Sequence, residues 1–226
     1  MKSKIGSLLF VVLVFMLYGV VMAFVFIGIV NFTSPKIATF FTKVLCAIPF
    51  LYFLFQKTEI PLLSTDHAPL HNRRQVLWRL LGLGVLLAII IKPLYYLFNP
   101  FLSLYADATL VEAIFRTCEA LIVAPIVEEF FYRKWMFDYL EKKRISPVVI
   151  CVLTSILFYL AHTDSYAVFI EFDLDHILSR TDTLITGFVY GLVYWKYRNI
   201  KYCIFLHFVN NLAIHLLLLA IYHISL

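Results

Sequence analysis

Residues 5–30 read IGSLLFVVLVFMLYGVVMAFVFIGIV, with Lys2 and Lys4 just before them and no charged side chain inside. About 20 apolar residues cross the hydrocarbon core of a bilayer as a helix. Val21-Met22-Ala23 resembles a signal-peptidase site, but a signal h-region is only ~7–15 residues long and this run is far longer. The stretch is therefore read as an uncleaved first transmembrane helix.

Outward from it, apolar runs recur near 37–56, 80–98, 110–132, 147–163, 181–195 and 202–224. The expectation is an all-α fold, a polytopic transmembrane helical bundle of about seven spans. Of the 226 residues 62% are hydrophobic and only 15% charged, and mean hydropathy is +0.89. That is far too apolar for a soluble domain. Residues 1–226 are expected to form a single membrane-embedded domain. Residues 99–109 and 164–180 are connectors, the second amphipathic enough to lie on the surface. Neither an internal repeat nor a low-complexity tract is seen.

The net charge of +5 has a membrane origin rather than a nucleic-acid one. With the N-terminus in the cytoplasm, the inner segments hold most of the basic residues, among them Lys57, Arg73, Arg74, Lys142, Lys143, Arg144, Lys196 and Lys201. The outer connectors hold Asp107, Asp164, Glu171, Asp173 and Asp175. This is the positive-inside pattern, and an odd span count leaves the C-terminus outside. The expected location is the cell membrane, multi-pass, with the lipid bilayer as partner. Cys46, Cys118, Cys151 and Cys203 lie in apolar runs without C-x-x-C spacing, so buried thiols are expected.

A charged side chain at the centre of a bilayer costs at least ~2.5–3.5 kcal/mol, so several in one chain need a reason. The densest set is Ala124-Pro-Ile-Val-Glu128-Glu129-Phe-Phe-Tyr-Arg133. Glu129 and Arg133 are four apart on one helical face, in the favourable order, and are expected to pair. Glu128 points about 100° away, which is expected to leave it free to titrate. Pro125 cannot donate to the carbonyl of Leu121, so a kink is expected just before the carboxylates. In Phe158-Tyr-Leu-Ala-His162 the phenyl ring can wall and orient the imidazole. In His207-Phe-Val-Asn210-Asn211, His207 and Asn211 share a face and Asn210 points elsewhere.

Glu128 and His162 each lie 17 residues from Ile145, where Ile145-Ser146-Pro147 forms a natural turn. A hairpin there would set them at one depth, with Lys134–Arg144 protruding into the cytosol. His207 lies near the inner end of the last span, so the three are expected to share a cavity in the inner half of the membrane. These residue types suit amide hydrolysis. A shielded carboxylate can act as a base towards water, a neutral imidazole can position that water or bind a metal, and an Asn amide can donate to an oxyanion.

Glu128-Glu129-x-x-x-Arg133, Phe158-x-x-x-His162 and His207-x-x-x-Asn211 together resemble the three motifs of the CAAX-protease and bacteriocin-processing family (CPBP, or Abi), which includes the type II CAAX prenyl endopeptidases. The resemblance implies an intramembrane endopeptidase with a catalytic core over 110–215, acting on a peptide or membrane-protein substrate. Carried over, Glu128 activates water, supported by Glu129 and Arg133. His162 and His207 bind or polarise that water, and Asn211 with His207 forms the oxyanion site. Glu128, His162 and His207 could ligate zinc, and a metal-free glutamate mechanism needs the same groups. Small bacterial members imply bacteriocin or peptide processing, or self-immunity.

Other readings stand beside this one. The charged residues could tie helices together in a non-catalytic scaffold or immunity protein. They could also line an ion path, as in a transporter, although the paired broken helices of such folds are not apparent. Glu112, Arg116 and Glu119 form a stripe read as an interhelical ion-pair seam. His215 and His223 are read as anchors near the outer end, and the aromatics as mostly lipid-facing or interfacial.

Overall fold

A computed structural model describes residues 2–62, 73–98, 109–163 and 181–224. Among these the chain forms seven helices and no strand. Helix α1 is Lys2–Val30. Helix α2 runs over Pro35–Thr42, widens into a π turn at Lys43–Ala47 and continues over Ile48–Thr58. Helix α3 is Arg73–Phe98. Helix α4 is built of Leu110–Cys118, a π turn at Glu119–Val123, Ala124–Glu129, a longer π segment at Phe130–Phe137, and Asp138–Lys142. Helices α5, α6 and α7 are Pro147–Ala161, Thr181–Tyr197 and Ile200–Ile224.

These helices fall on the seven apolar runs, and the fold is all-α with apolar spans. Among the described residues, Lys4–Val30, Ile37–Thr58 and Ile200–Leu217 are long and apolar enough to cross a membrane, and α5 is apolar but shorter. The expected connectors at 99–108 and 164–180, with their acidic residues, lie outside the described residues.

The chain divides into two compact units, Met1–Thr65 with Asp107–Cys151, and Asp66–Ala106 with Val152–Leu226. In the first, α1, α2 and α4 pack through a run of rings. Tyr18 lies 5.2 Å from Phe50 and 4.8 Å from Phe131, Phe131 stacks on Trp135 at 5.6 Å, and Trp135 stacks on Tyr139 at 5.9 Å. Trp135 also donates its indole N–H to Thr58 Oγ1 across 3.1 Å. Lipid tails are as apolar as these rings, so close contact and such hydrogen bonds, rather than exclusion of water, hold the helices. Phe131 and Trp135 are buried, an exception to the outward position expected of most aromatics, while Phe24, Tyr52, Phe53 and Trp78 are exposed. Leu9, Leu13, Met16, Val20 and Ile27 of α1 are exposed as well.

Two prolines shape this unit. Pro49 and Pro125 each follow a π turn, the first at Lys43–Ala47 and the second at Glu119–Val123. A proline cannot donate to the carbonyl four residues back, and a widened turn accommodates the lost bond. The kink expected before Glu128 is therefore a wide turn.

The expected turn after α4 is present. Arg144 sits in the left-handed region at φ 60°, with Arg144 N–H bonded to Glu141 O and Ile145 N–H to Leu140 O. That is a Schellman ending, made without glycine at a cost of about 1–2 kcal/mol. In the stretch before it Lys134, Trp135, Met136, Phe137 and Leu140 are buried, while Lys142, Lys143 and Arg144 are exposed. Lys134 is tolerated there because Asp138 pairs with it at 2.6 Å.

In the second unit, two glycines set helix spacing. A Cβ on Gly84 of α3 would lie 2.7 Å from Val209 Cγ1 and 3.2 Å from Asn210 N of α7. A Cβ on Gly187 of α6 would lie 3.1 Å from Phe158 Cδ1 and 3.3 Å from Ser155 Cα of α5. Small residues at such points let backbones approach closely in membrane helices. Ser155 Oγ adds a hydrogen bond to Leu184 O at 2.6 Å.

Candidate active site

The six candidate residues divide between the two units. Glu128, Glu129 and Arg133 stand on α4 in the first. His162 follows α5, and His207 and Asn211 stand on α7, in the second.

Glu129 and Arg133 pair as expected. Arg133 Nη1 donates to Glu129 Oε1 at 3.2 Å, and both side chains are 0% exposed. Their pairing satisfies two charges that would otherwise be stranded in an apolar interior. Arg133 also lies 5.5 Å from the Tyr132 ring centroid.

Glu128 is not the free carboxylate that was expected. Lys43 of α2 donates to its Oε1 at 3.0 Å, and the same ammonium bonds Glu119 Oε1. Sequence reading missed Lys43, because a single lysine in an otherwise apolar span carries no motif. The available signal was its cost: an isolated cation there needs a partner. Glu119 does join two helices, as the seam reading expected. Glu112 does something different. Its carboxylate accepts from Thr109 N–H at 2.8 Å while Thr109 Oγ1 accepts from Glu112 N–H, a capping box that opens α4.

In the second unit the two histidines gather around one ring. The Phe158 centroid lies 4.4 Å from that of His162 and 6.1 Å from that of His207, and Tyr190 lies 5.0 Å from His207. His162 Nδ1 lies 2.8 Å from Phe158 O. A carbonyl only accepts, so Nδ1 carries the proton and Nε2 the lone pair. The orienting role expected for Phe158 is therefore filled twice, by its ring and by its carbonyl.

His207 is buried and Asn211 half-buried, one turn apart on α7. Asn210, on another face as expected, is buried, and its Oδ1 has no hydrogen-bond partner among the described residues. His215 is no exposed anchor. It is buried, with Nδ1 donating to Asn211 O at 2.8 Å. The side chain of His223 lies outside those described.

All four cysteines are free, with Cys151 and Cys203 buried. Among the described residues, no three His, Cys, Asp or Glu side chains gather as a metal-holding group.

Residues 110–213 match the family model described as type II CAAX prenyl endopeptidase Rce1-like. No curated protein and no solved structure matches the chain. The matched segment covers a little under half of the chain and contains all six candidate residues, and its family is one of membrane-embedded proteases. Residues 110–213 of this chain are therefore similar to the type II CAAX prenyl endopeptidase Rce1-like family, in line with the resemblance of its motifs to the CAAX-protease and bacteriocin-processing family.

Proposed function

We propose that the chain is an intramembrane endopeptidase in which Glu128 activates a water molecule for attack on a peptide bond. The observation that carries the reading is the family match over 110–213, which takes in all three motifs. Glu128 takes a proton from the water. The Nε2 lone pair of His162, set by the Phe158 carbonyl, accepts a second hydrogen bond from it and aims it. His207 and the Asn211 amide donate to the oxyanion as the carbonyl becomes tetrahedral, and the protonated Glu128 then returns its proton to the leaving amine nitrogen as the C–N bond breaks. Glu129 and Arg133 hold the helix turn that carries Glu128. The equal 17-residue arms either side of Ile145 in the sequence support a common depth for Glu128 and His162.

A zinc ion held by Glu128, His162 and His207 would have to sit beside the Lys43 ammonium that already holds Glu128 Oε1. A second cation there is repelled, so Glu128 does not fit as a zinc ligand.

We read the protein as multi-pass, with the N-terminus cytoplasmic and the C-terminus outside. The substrate class is a peptide or membrane-protein segment, and peptide or bacteriocin processing is the role that the resemblance implies.

The test uses a library of quenched-fluorescent peptides, with and without a farnesylated cysteine, and purified wild type beside Glu128→Ala. Cleavage by wild type and none by Glu128→Ala is expected. Equal cleavage by the two defeats the mechanism. One observation favours the scaffold reading instead: the Lys43 ammonium gives Glu128 a purely structural use. In that case wild type cleaves nothing, and a protective or signalling phenotype survives both Glu128→Ala and His207→Ala.

A further inference from the structure

Three charged side chains converge in the first unit, where a single one would already be costly. Lys43 comes from α2 and Glu119 and Glu128 both come from α4. Lys43 Nζ lies 3.0 Å from Glu128 Oε1 and bonds Glu119 Oε1 as well. An ammonium is a compact charge with three donors, so one lysine can hold two carboxylates from different directions. The trio keeps one net negative charge.

The backbone brings this about. Lys43 and Glu119 each open a π turn, and each stands six residues before a proline, Pro49 or Pro125. On a regular helix Glu119 and Glu128, nine residues apart, would face opposite sides, about 180° apart. A π turn absorbs about one extra residue, which reduces that offset to about 80°. Both carboxylates then come within reach of one ammonium.

We propose that Lys43 is a positioning residue for Glu128, with Glu119 as its second anchor. The inference rests on the reading of Glu128 as the water-activating carboxylate. A lone ion pair would let lysine and glutamate drift together. Glu119 ties the ammonium down from the other side, so Lys43 is a fixed point. Holding Oε1 to that point sets the plane of the Glu128 carboxylate and the direction from which it meets the water.

The test compares wild type, Glu128→Ala, Lys43→Met, Lys43→Arg, Glu119→Gln and the double variant Lys43→Met/Glu119→Gln. The substrate is the library peptide that wild type cleaves fastest, rates are taken per folded protein, and thermal midpoints are recorded. Lys43→Met is expected to lower kcat about 100-fold, the scale of an ångström-sized misplacement, with KM nearly unchanged. Lys43→Arg recovers most of that loss. Glu119→Gln lowers kcat about tenfold by the same loss of aim. The double variant strands one carboxylate where Lys43→Met strands two, so its midpoint is expected above that of Lys43→Met, yet it stays slow.

A double variant with wild-type kcat overturns the inference, since the lysine would then only balance charge. Wild-type kcat in Lys43→Met beside a dead Glu128→Ala also overturns it, and leaves the role of Glu128 standing. An active Glu128→Ala, or a wild type that cleaves no library peptide, defeats that role and the inference with it.

Discussion

Arg133 and Glu129 are both fully buried and bonded at 3.2 Å. Removing one member of such a pair strands the other charge, so Arg133→Met is expected to destabilise the protein by about 3–5 kcal/mol. Arg133→Met with Glu129→Met is expected to regain most of that loss, because two apolar side chains replace two charges. Thermal unfolding in detergent checks both, and a double variant no more stable than the single one counts against the pairing. Phe158 offers a test in the second unit. Its ring touches both histidines, while its carbonyl, which Phe158→Leu retains, still fixes the His162 tautomer. Phe158→Leu is therefore expected to lower kcat about 10–100-fold through misaimed imidazoles, with little change in amount folded. Wild-type turnover in that variant removes the ring from the mechanism. The Glu129–Arg133 pair and the Phe158–His162 ring contact were legible because i, i+4 spacing alone fixes which side chains meet. The Lys43–Glu128 pair was not, since its members lie 85 residues apart and no periodicity links them.

At the scale of elements, helix positions were legible from apolar runs, but the phase within a helix was not. A regular helix advances about 100° per residue, and α4 abandons that regularity twice. Pro125 signalled the first departure, although as a kink rather than a wide turn. Nothing comparable signalled the second, at Phe130–Phe137, where every side chain but Phe130 is buried. Pro125→Ala restores the missing N–H and should favour a regular helix there. Glu119 then turns away from Lys43. The expected outcome is a thermal midpoint equal to or above wild type together with slower cleavage, a separation that simple destabilisation does not give. Unchanged cleavage would show that the wide turn does not serve the site. Gly84 makes the opposite case. A Cβ there meets Val209 Cγ1 at 2.7 Å and backbone at 3.2 Å, so Gly84→Ala is expected to cost about 1–3 kcal/mol by overpacking. Adding Val209→Ala should return part of this, because it removes the closer atom but not the backbone contact.

For the whole molecule, the location of the C-terminus follows from fewer assumptions than the span count does. A 15-residue helix such as α5 rises only about 22 Å, less than the ~30 Å hydrocarbon core. Over the described residues α5 is therefore shorter than a full span. Yet Lys142, Lys143 and Arg144 precede α5, and Lys196, Arg198 and Lys201 follow α6. The proposed topology follows the positive-inside rule and puts both basic loops in the cytoplasm, so on it α5 and α6 either both cross or both fail to cross. The parity is the same in each case. What remains is α7, whose Ile200–Leu217 is long and apolar enough to span. On that proposed topology, one crossing from a cytoplasmic loop puts the C-terminus outside, whatever α5 and α6 do. A periplasm-dependent phosphatase fused after Leu226 should accordingly be active, and a fluorescent protein fused there should be dark. The same two reporters inserted at Lys143 should give the reverse pattern. A bright C-terminal fusion would mean that α7 does not cross. His207 and Asn211 would then lose the inner-leaflet depth on which their part in the proposed chemistry depends.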